Sequence, residues 1–265
     1  MLIFIRELKR NRKSFIIWTA SLVLFDILMM SFFQSIADNT KMYDEMVKGF
    51  PKGMIEAFGL DKISMSTILG FFGTECYIFI TLFGSIYAML LGASILSKEE
   101  GEKTIEFLLA KPVTRSTIVT AKMANAFFYI TLFNIIFAFV NFLMFETVKI
   151  EEYSKKAFLL LSIGPLLLHL TFVAIGLLIS VFIIKAKSVY PFSIGFVLVM
   201  YFISIMSSIS EKLTNLKYFT PFKYVDTPDI ITNERIEPIY LVIVFAIITV
   251  SIAATYVFYN RKNIL

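Results

Sequence analysis

Cysteine, histidine and tryptophan each occur once in this 265-residue chain. A single cysteine, Cys76, excludes an internal disulfide and any cysteine-built metal or redox centre. A single histidine, His169, excludes a multi-histidine metal site of the H-E-x-x-H kind. No G-x-x-x-x-G-K-[ST] run is present, so the chain has no phosphate-binding loop of its own. The formal charge of +5 is too small, and too concentrated in short segments, for a nucleic-acid surface. No internal repeat and no low-complexity tract marks a second domain, and residues 1–265 read as one unit.

Apolar residues are what the chain has in excess. They make up 58 % of it, with 29 phenylalanines and 12 tyrosines, and mean hydropathy is +0.79. A soluble domain is nearer 45–50 % apolar. This much apolar surface requires lipid as solvent. The fold class is therefore an all-α integral membrane protein with six transmembrane helices.

Residues 1–13 hold Arg6, Lys9, Arg10, Arg12 and Lys13 against one acid, Glu7. Phe4, Ile5 and Leu8 give this stretch the apolar side of a short interfacial helix. A first span follows over about residues 14–34, long enough for a ~30 Å hydrocarbon core. Ser35 and Ala37 resemble a signal-peptide cleavage site, but the apolar run exceeds an h-region of about 7–15 residues. The other spans are predicted at about 68–96, 118–145, 157–184, 189–208 and 239–258. Those at 68–96, 118–145 and 157–184 exceed the ~20-residue minimum and are expected to tilt or protrude.

Six spans place both termini on one side, and basic residues choose that side. With the termini cytoplasmic, the inner segments hold fourteen basic and five acidic residues, a net +9. The outer segments hold eleven basic and twelve acidic residues, a net −1. The expected location is the cell membrane, multi-pass, with cytoplasmic termini. Of the outer segments, 37–67 has apolar residues spaced for a helix lying on the outer leaflet. Segment 211–238, with its YFTPFKYVDTPDI run, suggests a re-entrant or interfacial piece.

Several polar groups fall within the spans. Asp26 lies ~18 Å into the first, where a carboxylate costs at least ~2.5–3.5 kcal/mol. Two readings fit it: a group lining a substrate path or coupling to an ion, or a bundle-facing acid bonded to a neighbouring span. Asn134 and Asn141, seven residues apart, share one face of the third span, with Asn125 close to the opposite face. Interhelical hydrogen bonds or a substrate contact both suit the pair. His169 follows Pro165 in the fourth span and has no acidic partner on its own helix, so it either satisfies a freed carbonyl or relays protons. Glu75 and Glu146 sit near the outer span ends, where water reaches them. Gly84 and Gly92 allow close helix packing on one face.

The polar stretch 97–122, SKEEGEKTIEFLLAKPVTRSTIVTAK, interrupts two of the most apolar runs. Its centre, 101–110, has Ile105, Leu108 and Leu109 at the i, i+3, i+4 spacing of one helical face, with Glu102, Lys103 and Glu106 on the others. Pro112 ends that helix, and Thr114 or Ser116 is placed to cap the next.

In its order Glu99, Gly101, Thr104, Glu106, Leu108–Leu109, Pro112–Val113–Thr114–Arg115 and later Lys122, this stretch resembles the permease subunits of type-2 ABC transporters. Those subunits have an acidic start, Gly-Thr, Glu, a Leu pair, Pro-Val-Ser/Thr-Arg and a later Lys between their second and third spans. The chain departs from the pattern at Lys103, where the family has glycine before the threonine. Span number, the basic N-terminus and Pro221–Phe222 before the last span extend the likeness over the whole chain.

The resemblance implies a permease subunit of an exporter. Residues 98–116 would couple it to a cytoplasmic ATPase subunit through Glu99, Gly101, Thr104, Glu106, Leu108, Leu109, Pro112 and Arg115. A second permease subunit, identical or different, and membrane lipid would be its other partners, with no nucleic acid. The chain itself would bind no cofactor or metal, and ATP and Mg would sit on the partner. Asp26, Asn134, Asn141 and His169 are the candidates for a substrate path, for a peptide or antibiotic, a lipid or an ion. Rival readings are an intramembrane enzyme, and a membrane anchor or sensor that transports nothing.

Overall fold

A computed structural model describes residues 2–39, 45–101, 113–183, 186–209 and 211–262. Among these residues the regular structure is entirely helical, without strands. The chain begins with α1 (Leu2–Ser31) and the short α2 (Phe33–Ala37) and α3 (Lys52–Phe58). A second span is assembled from α4 (Ile68–Phe71), a π-helical turn (Phe72–Cys76) and α5 (Tyr77–Gly101). Then come α6 (Arg115–Val148), α7 (Lys155–Ser180) and α8 (Ala186–Ile209). Two 3₁₀ turns (Glu211–Tyr218 and Pro221–Val225), α9 (Thr227–Asn233) and α10 (Pro238–Arg261) complete the described chain.

Six helices are long and apolar enough to cross a membrane: Ile3–Ala37, Ile68–Glu99, Arg115–Val148, Lys155–Ser180, Lys187–Ile209 and Pro238–Arg261. They coincide with the six predicted segments and run past most of their ends, because polar side chains cap and extend the helices. Thr114 caps α6 by accepting from the Thr117 amide, and Ser154 caps α7 through the Ala157 amide. Residues 2–13 are helical. They form the opening turns of α1 itself, with no break before the span. Glu7 and Asn11 are buried against the bundle, which holds this stretch on α5 and α6.

The bundle is organised around α5. In its apolar window 67 % is buried, against 17 % for α8 and α10, whose outer faces carry large exposed apolar side chains such as Phe202 and Phe245. The backbones of α5 and α7 cross closely at Gly92 and Gly176. A Cβ added at Gly92 would stand 2.5 Å from Val173 O, and one at Gly176 would stand 2.8 Å from Met89 O. Only glycine lets the two backbones meet so closely. Gly84 serves a different need on the same helix, because an added Cβ would lie 2.4 Å from the His169 ring.

At the end away from the termini, 211–238 dips into the bundle. Phe222 packs on Phe172 and Tyr201, with ring centroids 5.4 Å away in each case, and Tyr77 OH donates to Val225 O at 3.1 Å. The helix α3 within 37–67 lies against the end of α8, where Gly53 meets Ile209. The π-helical turn faces α9, with Gly73 against Thr227. Such turns widen a helix locally and favour functional positions.

Candidate functional site: a buried charge cluster flanking residues 102–112

Thr104, Glu106, Leu108, Leu109 and Pro112 lie outside the described residues, and Gly101 is the last residue of α5. What the structure gives is the ground on either side of that segment. On the leading side, Glu99 is buried at the end of α5. Its Oε1 accepts from Arg10 of α1 at 2.8 Å and from Lys122 Nζ of α6 at 3.2 Å. Lys122 is 1 % exposed, and its ammonium also donates to Glu7 Oε1 and to Ile95 O, each at 2.8 Å. An ammonium has three N–H donors, and all three have acceptors here.

A neutral layer backs these charges. Asn11 Nδ2 donates to Asn125 Oδ1 at 2.9 Å and approaches Glu7 Oε2 at 3.5 Å. Tyr129 OH donates to Leu8 O in the same stretch of α1. Buried ions persist only when paired and fully hydrogen-bonded, because desolvation costs several kcal/mol for each. Two acids and two bases from three helices meet that condition here and fasten α1, α5 and α6 to one another.

The trailing side is fastened elsewhere. Arg115, at the start of α6, donates to the carbonyls of Tyr259 and Asn260, each at 3.3 Å, and to that of Lys262. These are the open carbonyls at the end of α10, where a cation also meets the negative end of the helix dipole. Ser116 hydrogen-bonds Asn260, Thr120 OH meets Tyr256 OH at 2.6 Å, and Lys262 Nζ donates to Val181 O at 2.6 Å. Glu99 and Arg115, both predicted to contact a partner subunit, thus have their side chains engaged within the chain itself.

The intramembrane candidates divide into two places. Asn134 Nδ2 donates to Ile130 O at 2.8 Å, which turns its Oδ1 towards His169 Nδ1 at 3.1 Å. The imidazole therefore carries its proton on Nδ1, and its partner is an amide on α6. Asn141 likewise donates to Phe137 O at 3.0 Å. A cavity of about 10 Å³, lined by Asn134, Asn141, Ser162 and Pro165, separates the two asparagines and has room for about one water. Asp26 does not join the His169 pair. It is buried on α1, where its carboxyl faces Cys76 and Asn141.

At the end away from the termini is an open cavity of about 380 Å³, walled by the π-helical turn, the ends of α5 and α8, and segment 211–238. Lys62 with Asp229 (3.6 Å) and Lys223 with Asp226 (2.7 Å) line it, beside Tyr77 and Tyr201. Enclosure pushes the Asp226 carboxyl above its ordinary range, while the Lys223 ammonium pulls it back. Burial pushes the neighbouring Tyr224 phenol up to about 12. Among the described residues no cluster of three His, Cys, Asp or Glu side chains is arranged to hold a metal ion.

The family model for the ABC-2 family transporter protein matches residues 1–264. The chain belongs to the ABC-2 transporter family. No curated protein matches it.

For this ABC-2 family chain, sequence reasoning found Glu99, Arg115 and Lys122 but gave Glu7, Arg10, Asn11 and Asn125 no part in a site. Glu7 carried a usable signal, as the one acid in a basic N-terminus. Lys122 carried another, as a cation inside an apolar run. Nothing in a linear sequence says that the two meet.

Proposed function

We propose that the chain is the permease half of an ATP-driven exporter. It has cytoplasmic termini and pairs with a second permease subunit and with separately encoded ATPase subunits that carry ATP and Mg. Residues 98–116 are the input, with Ile105, Leu108 and Leu109 offering the apolar face on which the ATPase bears. Family membership and the Gly, Thr, Glu, Leu-Leu, Pro, Arg order support this reading.

The observation that carries it is the anchoring on both sides of 102–112. Glu99 fastens the leading side to α1 and α6, and Arg115 fastens the trailing side to the end of α10. A push on a segment held this way moves four spans together rather than flexing a loop, as rigid-body transmission requires. The excess of positive charge on the segments flanking this end supports a cytoplasmic location. The exposed apolar faces of α8 and α10 leave room for a second permease copy or lipid. At the opposite end, the 380 Å³ cavity combines ion pairs with tyrosines, which suits an amphiphilic cargo on its way out.

The test is co-purification from membranes. A stoichiometric ATPase whose hydrolysis responds to this chain is expected. Glu106→Ala and Leu109→Asp should leave insertion and assembly intact while uncoupling hydrolysis from transport. Unimpaired transport by both variants would refute the assignment.

A further inference from the structure

Beside the 380 Å³ cavity, and sharing Lys217, Lys223, Asp226, Asp229 and Tyr240 with it, is a second cavity of about 310 Å³. It lies among the two 3₁₀ turns, α9 and the first turn of α10. The lining ends at Tyr240, just past the Pro238 that opens the last span, so the cavity stands where that helix enters the bilayer. Tyr218, Tyr224 and Tyr240 line it, the last two stacked with ring centroids 5.1 Å apart. Tyrosines gather at this depth of a membrane.

The charges on its wall balance. Lys217, Lys223 and Arg235 stand with Asp226, Asp229 and Glu237, three of each sign. A net-anionic ligand would lose to the acids what it gains from the cations, whereas a ligand carrying both signs can meet each. Lys223 and Asp226 are closed on one another at 2.7 Å, but other groups have hydrogen-bonding capacity to spare. Arg235 gives Nε and Nη2 to Glu237 Oε1, at 3.2 and 2.9 Å, and that pair leaves three of its five N–H donors. Lys217 Nζ lies over the Tyr218 ring, 5.2 Å from its centroid, a contact that engages the charge but not the N–H donors. Asp229 is 3.6 Å from Lys62, too far for a hydrogen bond, so this pair leaves its lone pairs open to a donor.

One side of the cavity is apolar and continues into the outer face of the bundle. Ile236 and Ile239 line it, and Ile239 begins an exposed face of α10 that runs on through Val242 and Phe245. A balanced polar chamber at the foot of a lipid-facing stripe suits an amphiphile with its head inside and its chains outside. The volume, near the low end for ligand pockets, suits a headgroup rather than a whole lipid.

We propose that this cavity binds the headgroup of a zwitterionic phospholipid bearing a primary ammonium, in the leaflet at the end away from the termini. Arg235 and Lys217 take the phosphate, Asp229 takes the ammonium, and the acyl chains lie along Ile239, Val242 and Phe245. The lipid is a resident of the bundle and not a cargo in passage. The site rests on the membrane-crossing helices and does not depend on the transport reading.

Native mass spectrometry of the full-length chain, delipidated in detergent and titrated with single lipids, tests the site. Phosphatidylethanolamine should add as one tight equivalent, and the net-anionic phosphatidylglycerol with the same chains should bind more weakly. Glycerophosphoethanolamine, the same headgroup without chains, should not displace the lipid. Arg235→Gln should weaken the phosphatidylethanolamine adduct about tenfold, the worth of one hydrogen bond to a charged group. Asp229→Lys turns the balanced wall into four cations against two acids and should reverse the order of the two lipids. Both side chains are well open to water, so the fold survives either change. An unsubstituted chain that prefers phosphatidylglycerol, or does not distinguish the two, overturns the proposal. So does an undiminished adduct in Arg235→Gln or an unreversed order in Asp229→Lys. Displacement by glycerophosphoethanolamine would make the cavity a site for a soluble ligand and also overturn it.

Discussion

Replacing Lys122 by methionine removes the one cation that two buried carboxylates share. Methionine keeps an unbranched apolar stem one atom shorter, so packing is disturbed little and the loss is mainly electrostatic. Breaking a buried ion pair from one side costs about 3–5 kcal/mol, because the remaining charge stays desolvated. The two acids are not left equally exposed to that penalty. Glu99 retains Arg10 at 2.8 Å, whereas Glu7 retains only the Asn11 amide at 3.5 Å. Most of the cost therefore falls on Glu7. Arg10 is partly open to water, which places the total nearer the lower figure, roughly two decades in the unfolding constant. Equilibrium unfolding in mixed micelles measures it. Adding Glu7→Gln to Lys122→Met should recover more than half of the loss, and adding Glu99→Gln much less. A loss below about 1 kcal/mol, the ordinary size of a point substitution, would refute the reasoning. Equal rescue by the two glutamines would refute it as well.

The α5–α7 crossing and the end of α10 give two further expectations. Gly92→Ala drives a methyl to 2.5 Å from Val173 O and 3.0 Å from Leu177 N, backbone atoms that cannot rotate away. A destabilisation of about 1–3 kcal/mol should follow, while Gly195→Ala, with nothing within 4 Å, should leave the melting temperature unchanged. Arg115→Ala strips the end of α10 of its donor, so amide hydrogen exchange over 255–262 should quicken while the middle of α10 keeps its protection. Unchanged exchange there would show that the Arg115 contacts do not hold the helix end.

The spans were legible because each is a local property: an apolar run of sufficient length must become a helix in lipid, whatever its neighbours. Glycine as a packing device was half legible. Gly84 and Gly92 stood out on one helix, but Gly176, which completes the crossing, lies on another and was overlooked. His169 shows the same limit. Its own helix offers no acidic partner, and the group it meets is Asn134, thirty-five residues earlier and on a different span. The N-terminal stretch reads as an interfacial helix from its charge and apolar spacing. In the structure the same stretch opens α1, and Glu7 and Asn11 find buried partners on α6 that the linear pattern does not announce.

By itself, the sequence determined the solvent, the number and place of the spans, and the polar segment between the second and third. Hydrophobicity and helical period act over short distances and need no knowledge of which helix packs on which. Only the tertiary structure decided that Glu99 and Lys122, on opposite sides of that segment, close on one another with Glu7 and Arg10, and that Arg115 clasps the end of α10. Pairings between buried polar groups depend on helix rotation and crossing, which are set by side chains far apart in the chain.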